Sequence, residues 1–470
     1  MIALLAGVLV AGAVEVEPSG ELRVIESMPS TWTVDADGRT TEWGPVLDTR
    51  ARVGVAASDG PLRGGAELDA LSGQVAGVTW GLSELDERGR HTLDAASLDG
   101  LALRKLYVGA RLPILDIEAG VVTSHWGLGL VANDGAHDQE FGRVDFGDRV
   151  ARVRLATQPL GADVPFLVAI MGDRVLADEL ARQSEGDEAW QAVAGGLWRG
   201  ETEELGLYGV IRRQLNDEGR FVHAHVADVY GRIERPVGED WTLHAAAEAA
   251  MILGRTDISR TLQSTDGVRV RSAGAVGRVA AEHERARGVL RVAVASGDRT
   301  PDDDTLADFR FDRDLNVGLV LFDEVLGSID LAAIDAASDP EVSAVPTEGV
   351  QNLAAEGAFR SAFALQPVVA AQPIEPVEVR LGAVFAWSTA PIAHPVESFR
   401  NGGVPTNHLG VPSSGRYMGT ELDWAVATVE PETTLRPSLE LQGGHALLSA
   451  SLSGGVARVD HLLLTGRLRW

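Results

Sequence analysis

The sequence predicts an all-β protein, a transmembrane antiparallel up-and-down β-barrel of about 16–18 strands. Three observations support this fold class. Apolar and polar residues alternate along most of the chain, the chain ends on an aromatic residue preceded by alternate apolar ones, and tight turns alternate with long connections. Beyond the first residues, no apolar run approaches the roughly 20 residues that a membrane helix needs.

The clearest strand pattern covers residues 377–387. Its even positions include Glu378 and Arg380, which are predicted to face the lumen because successive side chains of a strand point to opposite faces. The odd positions predicted to face lipid are Val377, Val379, Leu381, Phe385 and Trp387. Further strands are predicted over 47–55, 62–80, 105–112, 115–121, 151–155, 164–173, 203–215, 221–233, 241–253, 267–284, 288–296, 314–322, 351–365, 421–426, 433–448 and 461–470.

A soluble antiparallel sandwich, barrel or propeller is the alternative fold. Its inward rows would hold large branched side chains, because those fill a core. Many apolar rows of this sequence are small instead, as at Ala245, Ala247 and Ala249, and no fixed repeat of the propeller kind is present. The small rows favour the membrane barrel.

The connections between the predicted strands are of two kinds. Residues 58–61 and 216–219 have tight-turn chemistry. Long connections on one side of the barrel with tight turns opposite are typical of outer-membrane barrels. The long connections are predicted at 82–100, 127–145, 174–202, 298–313, 327–349 and 389–416. Residues 174–202 have helical character, so this connection is predicted either to enter the lumen or to cap the outside.

The N-terminal residues 1–13 are predicted to be a signal peptide, with an apolar core over 2–10 and small residues at 11–13. The sequence departs from the usual pattern because no Lys or Arg precedes that core. Residues 14–45 form an N-terminal segment that is a candidate for the first strand. Residues 46–470 are assigned to the barrel itself.

Composition excludes several function classes. The chain has no cysteine, which excludes thiolate metal sites and cysteine nucleophiles. A formal net charge of −27 argues against nucleic acid as a partner. Nearly all the positive charge is arginine, since Lys105 is the single lysine.

Charged residues on the predicted strands are the candidates for lining the lumen. They are Arg50, Arg52, Arg111, Arg152, Arg154, Glu378, Arg380, Glu421, Asp423, Arg467 and Arg469. Arg50, Arg52, Arg152, Arg154, Arg467 and Arg469 are predicted to form a basic arc inside the barrel. If the strand of Arg50 and Arg52 is the first, it lies beside the last strand, which carries Arg467 and Arg469. Asp48 is the nearest carboxylate to offset that arc. Two alternatives remain: the arginines pair structurally across strands, or carboxylates from 421–423 or from a loop cancel the arc.

Enzymatic and metal sites are weakly indicated. Ser124 and His125 are adjacent, so on a strand they point to opposite faces and cannot readily share a proton. His223 and His225 share a strand face, but no third ligand lies nearby in the sequence. No catalytic residue, metal ligand or cofactor is therefore predicted.

The C-terminal row resembles the assembly signature of Gram-negative outer-membrane barrels. Its apolar residues, Leu462, Leu464, Leu468 and the terminal Trp470, alternate with polar ones. The resemblance implies an outer-membrane location, contact with membrane lipid and lipopolysaccharide, and recognition by the barrel-assembly machinery. A terminal Trp also suits the aromatic girdle at the membrane interface.

Three further segments resemble alginate-export porins and related proteins of polysaccharide secretion. They are SHWGLGLVANDG at 124–135, VASGDR at 294–299 and FRFD at 309–312. The resemblance implies a channel for polysaccharide export, with periplasmic export components as partners, or for diffusion of anionic and polar solutes. The lack of lysines departs from a strongly basic alginate conduit. The alternative function is a non-conducting structural or adhesive barrel that presents surface loops.

Overall fold

The computed structural model describes residues 14–41, 45–77, 101–144, 147–161, 163–261, 264–301, 303–338, 355, 357–413, 415–455 and 457–470. Its strands are β1 (Glu15–Pro29), β2 (Val46–Asp59), β3 (Leu62–Ala76), β4 (Ala102–Arg111), β5 (Asp116–Thr123), β6 (Arg149–Thr157), β7 (Phe166–Ala177), β8 (Glu188–Arg199), β9 (Glu203–Leu215), β10 (Phe221–Val237), β11 (Trp241–Thr256), β12 (Val268–His283), β13 (Ala286–Ala295), β14 (Thr305–Leu306), β15 (Ala362–Ile374), β16 (Val377–Ser388), β17 (Tyr417–Thr428), β18 (Arg436–Leu448) and β19 (Ala457–Arg469).

The strands form a closed antiparallel barrel of eighteen strands, which confirms the predicted fold class. Each strand pairs with the next along the chain, and β19 pairs with β1 to close the barrel. The two-residue β14 is outside this order: it pairs in parallel with β12, so β13 pairs directly with β15. Closure leaves no sheet edge unpaired, which membrane-spanning strands require.

Short helices occupy the connections. A 3₁₀ turn covers Gln183–Glu185, a π-helix covers Leu321–Leu326, and α1 (Gly327–Ser338) follows the latter directly. The others are α2 (Pro395–Arg400) and α3 (Ala450–Ser453). Within the described ranges, no helix has the length and apolarity needed to cross a membrane.

The two ends of the barrel differ in connection length, as predicted, except that the tight turn predicted at 216–219 lies at the same end as the long connections. The turn end carries the connections 60–61, 112–115, 158–165, 200–202, 238–240, 284–285, 375–376 and 429–435, together with the start of β1 and the end of β19. The opposite end, called the loop end, is where the chain leaves and re-enters the barrel between β1 and β2, β3 and β4, β5 and β6, β7 and β8, β9 and β10, β11 and β12, β13 and β15, β16 and β17, and β18 and β19.

Three sequence-based element predictions are wrong. The strand predicted at 351–365 is displaced, because β15 begins at Ala362 and the described residues 357–361 form no strand. The connection predicted at 174–202 is only 178–187, because β7 continues to Ala177 and β8 occupies Glu188–Arg199. The strand predicted at 314–322 does not form. Its apolar residues lie in the barrel interior instead, for example Leu319 and Leu321, which are 1% and 0% exposed. These apolar residues alternate as they would in a strand. They pack against other side chains inside the lumen, however, and do not pair with a neighbouring strand.

The outer surface of the barrel is apolar. On β16, Leu381 is 54% exposed and Phe385 37%, while Val384 and Ala386 are fully buried on the inner side, in line with the predicted period of two. Other large apolar side chains exposed on the outside include Val53, Val55, Leu106, Val108, Val153, Ile170, Leu205, Leu207, Val229, Val292 and Leu422. Such a surface requires lipid around it.

The terminal Trp470 closes the seam between β19 and β1. Its backbone N–H and C=O each bond to Gly20 at 3.1 Å. Its ring covers Gly20 so closely that a Cβ there would lie 2.0 Å from Cζ2 of the indole. Glycine at this position therefore lets the last aromatic side chain pack flat on the first strand.

Candidate functional site

Two segments from the loop end fold into the lumen and make the interior the candidate site. The first inward segment, residues 124–148, connects β5 to β6. The second inward segment, residues 307–338, lies between β14 and β15 and includes α1. Both contact wall residues from strands on different sides of the barrel, which places them inside it.

The first inward segment is held mainly by hydrogen bonds from the wall. Glu248 of β11 accepts the backbone N–H groups of Leu128 and Leu130, the latter at 3.3 Å. Across the lumen, Gln442 of β18 accepts the N–H of Gly142 at 2.9 Å, and Arg23 of β1 donates to the carbonyl oxygen of Val144 at 2.8 Å. Such contacts satisfy backbone groups that would otherwise be buried without partners.

The second inward segment carries the apolar core of the interior. Phe359, which precedes β15, packs between Phe311 and Phe322 of this segment, with both of their ring centroids 4.6 Å from its own. Glu421 of β17, which is completely buried, accepts three consecutive N–H groups, those of Leu319, Val320 and Leu321. One strand carboxylate therefore fixes the position where the segment crosses the lumen.

The two inward segments are also joined to each other. The N–H of Asp312 donates to the carbonyl of Leu130 at 2.9 Å, and Asp314 accepts the N–H of Gly147 at 2.7 Å. The Asn316 amide donates to the carbonyl of Arg143 at 2.7 Å. Together the segments narrow the barrel between a cavity at the turn end and the cavities at the loop end.

The turn-end cavity has a volume of about 260 Å³ and lies between the inward segments and the turn end. Its charged lining comprises Arg23, Arg143, Arg380, Arg467, Arg469, Asp138, Glu378, Glu430 and Glu440. Four of the predicted lumen-lining residues are therefore brought together here: Glu378, Arg380, Arg467 and Arg469. The lining holds one more positive than negative side chain.

The hypothesis of a basic arc assumed that the strand of Arg50 and Arg52 is the neighbour of the last strand, and this assumption is wrong. β1 lies between β2 and β19, so the strand of Arg50 is not beside the last strand. The carboxylate among these arginines is Glu21 of β1, which lies 2.6 Å from Arg50, 3.6 Å from Arg467 and 3.2 Å from Arg469. Asp48 is engaged elsewhere, with Arg143 at 2.7 Å. Sequence analysis missed Glu21 because it assigned no definite strand to residues 14–45.

A carboxylate from a loop pairs with the arginines of the last strand, in agreement with the predicted alternative that loop carboxylates cancel the arc. Asp138 of the first inward segment lies 3.2 Å from Arg467 and 3.4 Å from Arg469. Glu430 from the turn end adds a further contact of 3.1 Å to Arg469. The 421–423 strand does not supply this charge. Glu421 holds the second inward segment, and Asp423 is buried beside it.

The remaining predicted lining residues also have carboxylate partners. Arg52 contacts Asp69 at 2.6 Å, and Arg152 contacts Asp173 at 2.8 Å. Arg111 and Arg154 share Asp116, at 3.7 Å and 3.6 Å. The Arg111 side chain is 77% exposed at the turn end, so it is at the rim rather than inside. The pairs position the guanidinium groups without removing their hydrogen-bonding capacity.

The first inward segment also gathers two histidines around one carboxylate. Nδ1 of His137 lies 3.0 Å and Nδ1 of His125 3.8 Å from Oδ1 of Asp134, and the imidazole rings stack at 4.0 Å. Burial opposes ionisation of Asp134, but the contacts to His137 and His125 outweigh it and lower its pKa to about 2. The same carboxylate raises the pKa of His137. Burial, with the charge of His137, lowers the pKa of His125.

The loop-end cavity, of about 280 Å³, lies on the other side of the inward segments. Its charged lining comprises Asp148, Asp178, Glu179, Arg212, Asp308, Arg310, Asp312 and Arg360. None of these was a predicted lining residue, because they come mostly from connections whose path the strand period does not specify. Arg310 and Asp312 belong to the FRFD motif at 309–312, which the sequence singles out only as a resemblance.

Comparison with known proteins gives the fold and no family. No protein-family model and no curated protein matches the chain. Among solved structures, OccAB1 of Acinetobacter baumannii matches with a TM-score of 0.54 at 11% identity, covering 97% of this chain and 96% of that one. Pseudomonas aeruginosa OccK2 (OpdF) in complex with glucuronate matches at 0.53 and 10%, covering 97% and 98%. OprD of the same organism matches at 0.51 and 10%, covering 97% and 95%.

These matches share the porin-like barrel over nearly its whole length. None of these matches supports a specific similarity to alginate-export porins. The apolar outer surface and the porin-like fold place the barrel in the outer membrane of a Gram-negative bacterium.

Proposed function

We propose that this protein is an outer-membrane channel for small polar solutes with a preference for anions. The observation that carries the proposal is the convergence of Arg23, Arg143, Arg380, Arg467 and Arg469 on the turn-end cavity. Fixed positive charge along a narrow path attracts anions and repels cations. The guanidinium groups also offer several N–H donors that suit carboxylate or phosphate oxygens.

The size of the cavities restricts the proposed solutes to small ones. The inward segments leave a cavity of about 260 Å³ at the turn end and cavities of about 280 Å³ and 340 Å³ at the loop end. A structurally similar barrel, OccK2, has been crystallised with glucuronate, a small sugar acid. A solute of that class, with one carboxylate and several hydroxyl groups, matches the charged and polar lining of the turn-end cavity.

Polysaccharide export is not part of this proposal. A polymer needs a continuous wide passage, whereas the middle of this barrel is occupied by the buried aromatic cluster of Phe311, Phe322 and Phe359. The partners that the export reading implied, periplasmic components of polysaccharide secretion, are not proposed either.

A non-conducting structural or adhesive barrel is the second candidate function. The observation that favours it is the same apolar core, since a lumen filled by packed side chains resists the passage of water and ions. Conduction through this structure requires the polar cavities on the two sides of the core to connect past it.

Planar-bilayer electrophysiology separates the two candidates. We expect the purified protein to conduct and, in a salt gradient, to show a reversal potential of the sign that an anion-preferring pore gives. The double variant Arg467→Gln/Arg469→Gln should shift that potential toward zero while still conducting. The double variant Arg269→Gln/Arg400→Gln, which removes two exposed arginines at the loop end, is the matched control and should leave it unchanged.

Two results would count against the channel proposal. Absence of conductance in correctly folded protein would favour the structural barrel. An anion preference that survives the loss of Arg467 and Arg469 would show that these arginines stabilise the barrel wall and that selectivity arises from other residues.

A further inference from the structure

Three carboxylates from three separate segments meet in the loop-end cavity. Asp148 ends the first inward segment, Glu179 belongs to the connection between β7 and β8, and Asp312 belongs to the second inward segment. One oxygen of each lies within 4.8 Å of the others. All three residues line the cavity of about 280 Å³ described above.

Two of these carboxylates are buried without a complete set of partners. Asp148 is 8% exposed and Asp312 is 4% exposed. Oδ1 of Asp148 and Oδ2 of Asp312 are inaccessible to solvent and accept no hydrogen bond. A buried carboxylate oxygen without a donor is costly, because it has lost its hydration and gained nothing in exchange.

The neighbouring acids of the same cavity are paired, which distinguishes them from these three. Asp178 is bonded by Nη2 of Arg212 at 3.2 Å, and Asp308 lies 2.8 Å from Arg360. Among the ion pairs of the described residues, none includes Asp148, Glu179 or Asp312. Arg212 and Arg360 of this cavity therefore pair with other carboxylates.

Three negative charges so close together in a region shielded from water repel one another strongly. Burial and the neighbouring carboxylates raise the pKa of Asp148 and of Asp312. The group must therefore take up protons or bind a cation. The positive charges of Arg313 and Arg310 act on Glu179 from nearby, so the group does not need to be neutralised completely by its ligand.

We infer that Asp148, Glu179 and Asp312 form a binding site for a hard divalent cation, calcium in particular. Calcium takes six to eight oxygen ligands at 2.3–2.6 Å, so opposite ligand atoms stand up to about 5 Å apart and the observed spread is accommodated. Its flexible coordination suits ligands drawn from three segments. Magnesium requires shorter bonds and near-octahedral geometry, which carboxylates on separate loops satisfy less readily.

A calcium ion at this site would fasten the interior of the barrel to its wall. It would link both inward segments to the connection between β7 and β8. Without the ion, the carboxylates of Asp148, Glu179 and Asp312 repel one another at this point. Calcium would then stabilise the constricted arrangement, and its removal would loosen the inward segments on the side facing the loop end.

The test uses full-length protein refolded in a zwitterionic detergent, free of lipopolysaccharide, because lipopolysaccharide itself binds calcium. After treatment with a chelator, titration calorimetry with Ca²⁺ should show one site per chain, with Mg²⁺ binding more weakly. Asp312→Asn should lose this binding. In metal-free protein, Asp312→Asn should raise the denaturation temperature, because it removes repulsion. Added Ca²⁺ should raise the denaturation temperature of the unmutated protein but not that of Asp312→Asn.

The matched control is Glu185→Gln, which removes the same charge from the same connection but from a residue paired with Arg182 at 3.3 Å. It should leave calcium binding unchanged. Asp148→Asn provides a second, independent variant, with the same expected outcome as Asp312→Asn. Failure of Ca²⁺ to bind the unmutated protein, equal binding to it and to both variants, or equal binding of Mg²⁺ would overturn the assignment.

Discussion

The wall of the barrel and its interior are built by different rules. Along the wall, one residue in two faces lipid, so Leu381 and Phe385 are exposed where Val384 and Ala386 are buried. In the interior, the second inward segment buries consecutive residues, Leu319, Val320, Leu321 and Phe322, with 0–2% exposure. The wall is specified by a repeating backbone geometry. The interior is specified by individual side chains that reach it from distant strands.

Breaking the seam of the wall should have the largest effect. We predict that Trp470→Asp abolishes assembly, because it places a charge at the membrane interface and removes the aromatic ring that packs on Gly20. The fraction of protein with heat-modifiable gel migration in outer-membrane preparations measures this. Trp470→Phe keeps an aromatic residue and should assemble. Normal assembly of the Asp variant would contradict the role assigned to the terminal residue.

Breaking the main anchor of the interior should have the next largest effect and leave the wall intact. Glu421→Ala removes the acceptor of three buried N–H groups, at a cost of about 1–3 kcal/mol for each donor left unpaired. The second inward segment should then move out of its position, and single-channel conductance should rise. Glu397→Ala, at α2 outside this network, is the control. Unchanged conductance of a folded Glu421→Ala barrel would mean that the apolar core alone holds the segment.

Placing a charge on the outer face tests the wall without touching the interior. Leu381→Arg, near the middle of β16, should destabilise the barrel by about 2–4 kcal/mol, because the charge enters lipid at depth. Urea unfolding in lipid vesicles, followed by tryptophan fluorescence, measures the change. Leu381→Val should change the stability far less. Equal stability of the Arg and Val variants would indicate that this position faces protein rather than lipid.

The smallest expected effect concerns the pH dependence of the first inward segment. The contact with Asp134 raises the pKa of His137, so its stabilising contribution is complete below the ordinary value of 6.5 and is lost as the pH rises through the raised pKa. Asp134, with a pKa of about 2, stays ionised throughout. His125, whose pKa is lowered, stays neutral above its ordinary value, and Asp138 adds negative charge near His137.

Single-channel recordings between about pH 5 and about pH 9 should therefore show more frequent brief fluctuations on the alkaline side. His137→Gln cannot be protonated and should remove the pH dependence while leaving conductance at the alkaline end unchanged. If the fluctuations of His137→Gln still depend on pH, the titration belongs to another group.

The sequence by itself determined the wall of this protein. Period-two alternation, the terminal aromatic row and the placement of long connections at one end yielded a barrel of about 16–18 strands, and eighteen form. These features are local, because alternate side chains of any one strand must separate lipid from lumen. The strand at Glu15–Pro29 received no definite assignment, since its first half is polar, and the apolar residues of 314–322 imitated a strand without pairing as one.

Only the tertiary structure decided the interior. Nothing in the order of residues shows that Glu21 lies among Arg50, Arg467 and Arg469, or that Glu421 holds a segment about a hundred residues earlier in the chain. The meeting of Asp148, Glu179 and Asp312 likewise depends on three connections folding to one point. Such contacts arise when the barrel closes, because closure brings strands distant in sequence around one lumen and forces the long connections to share its limited space.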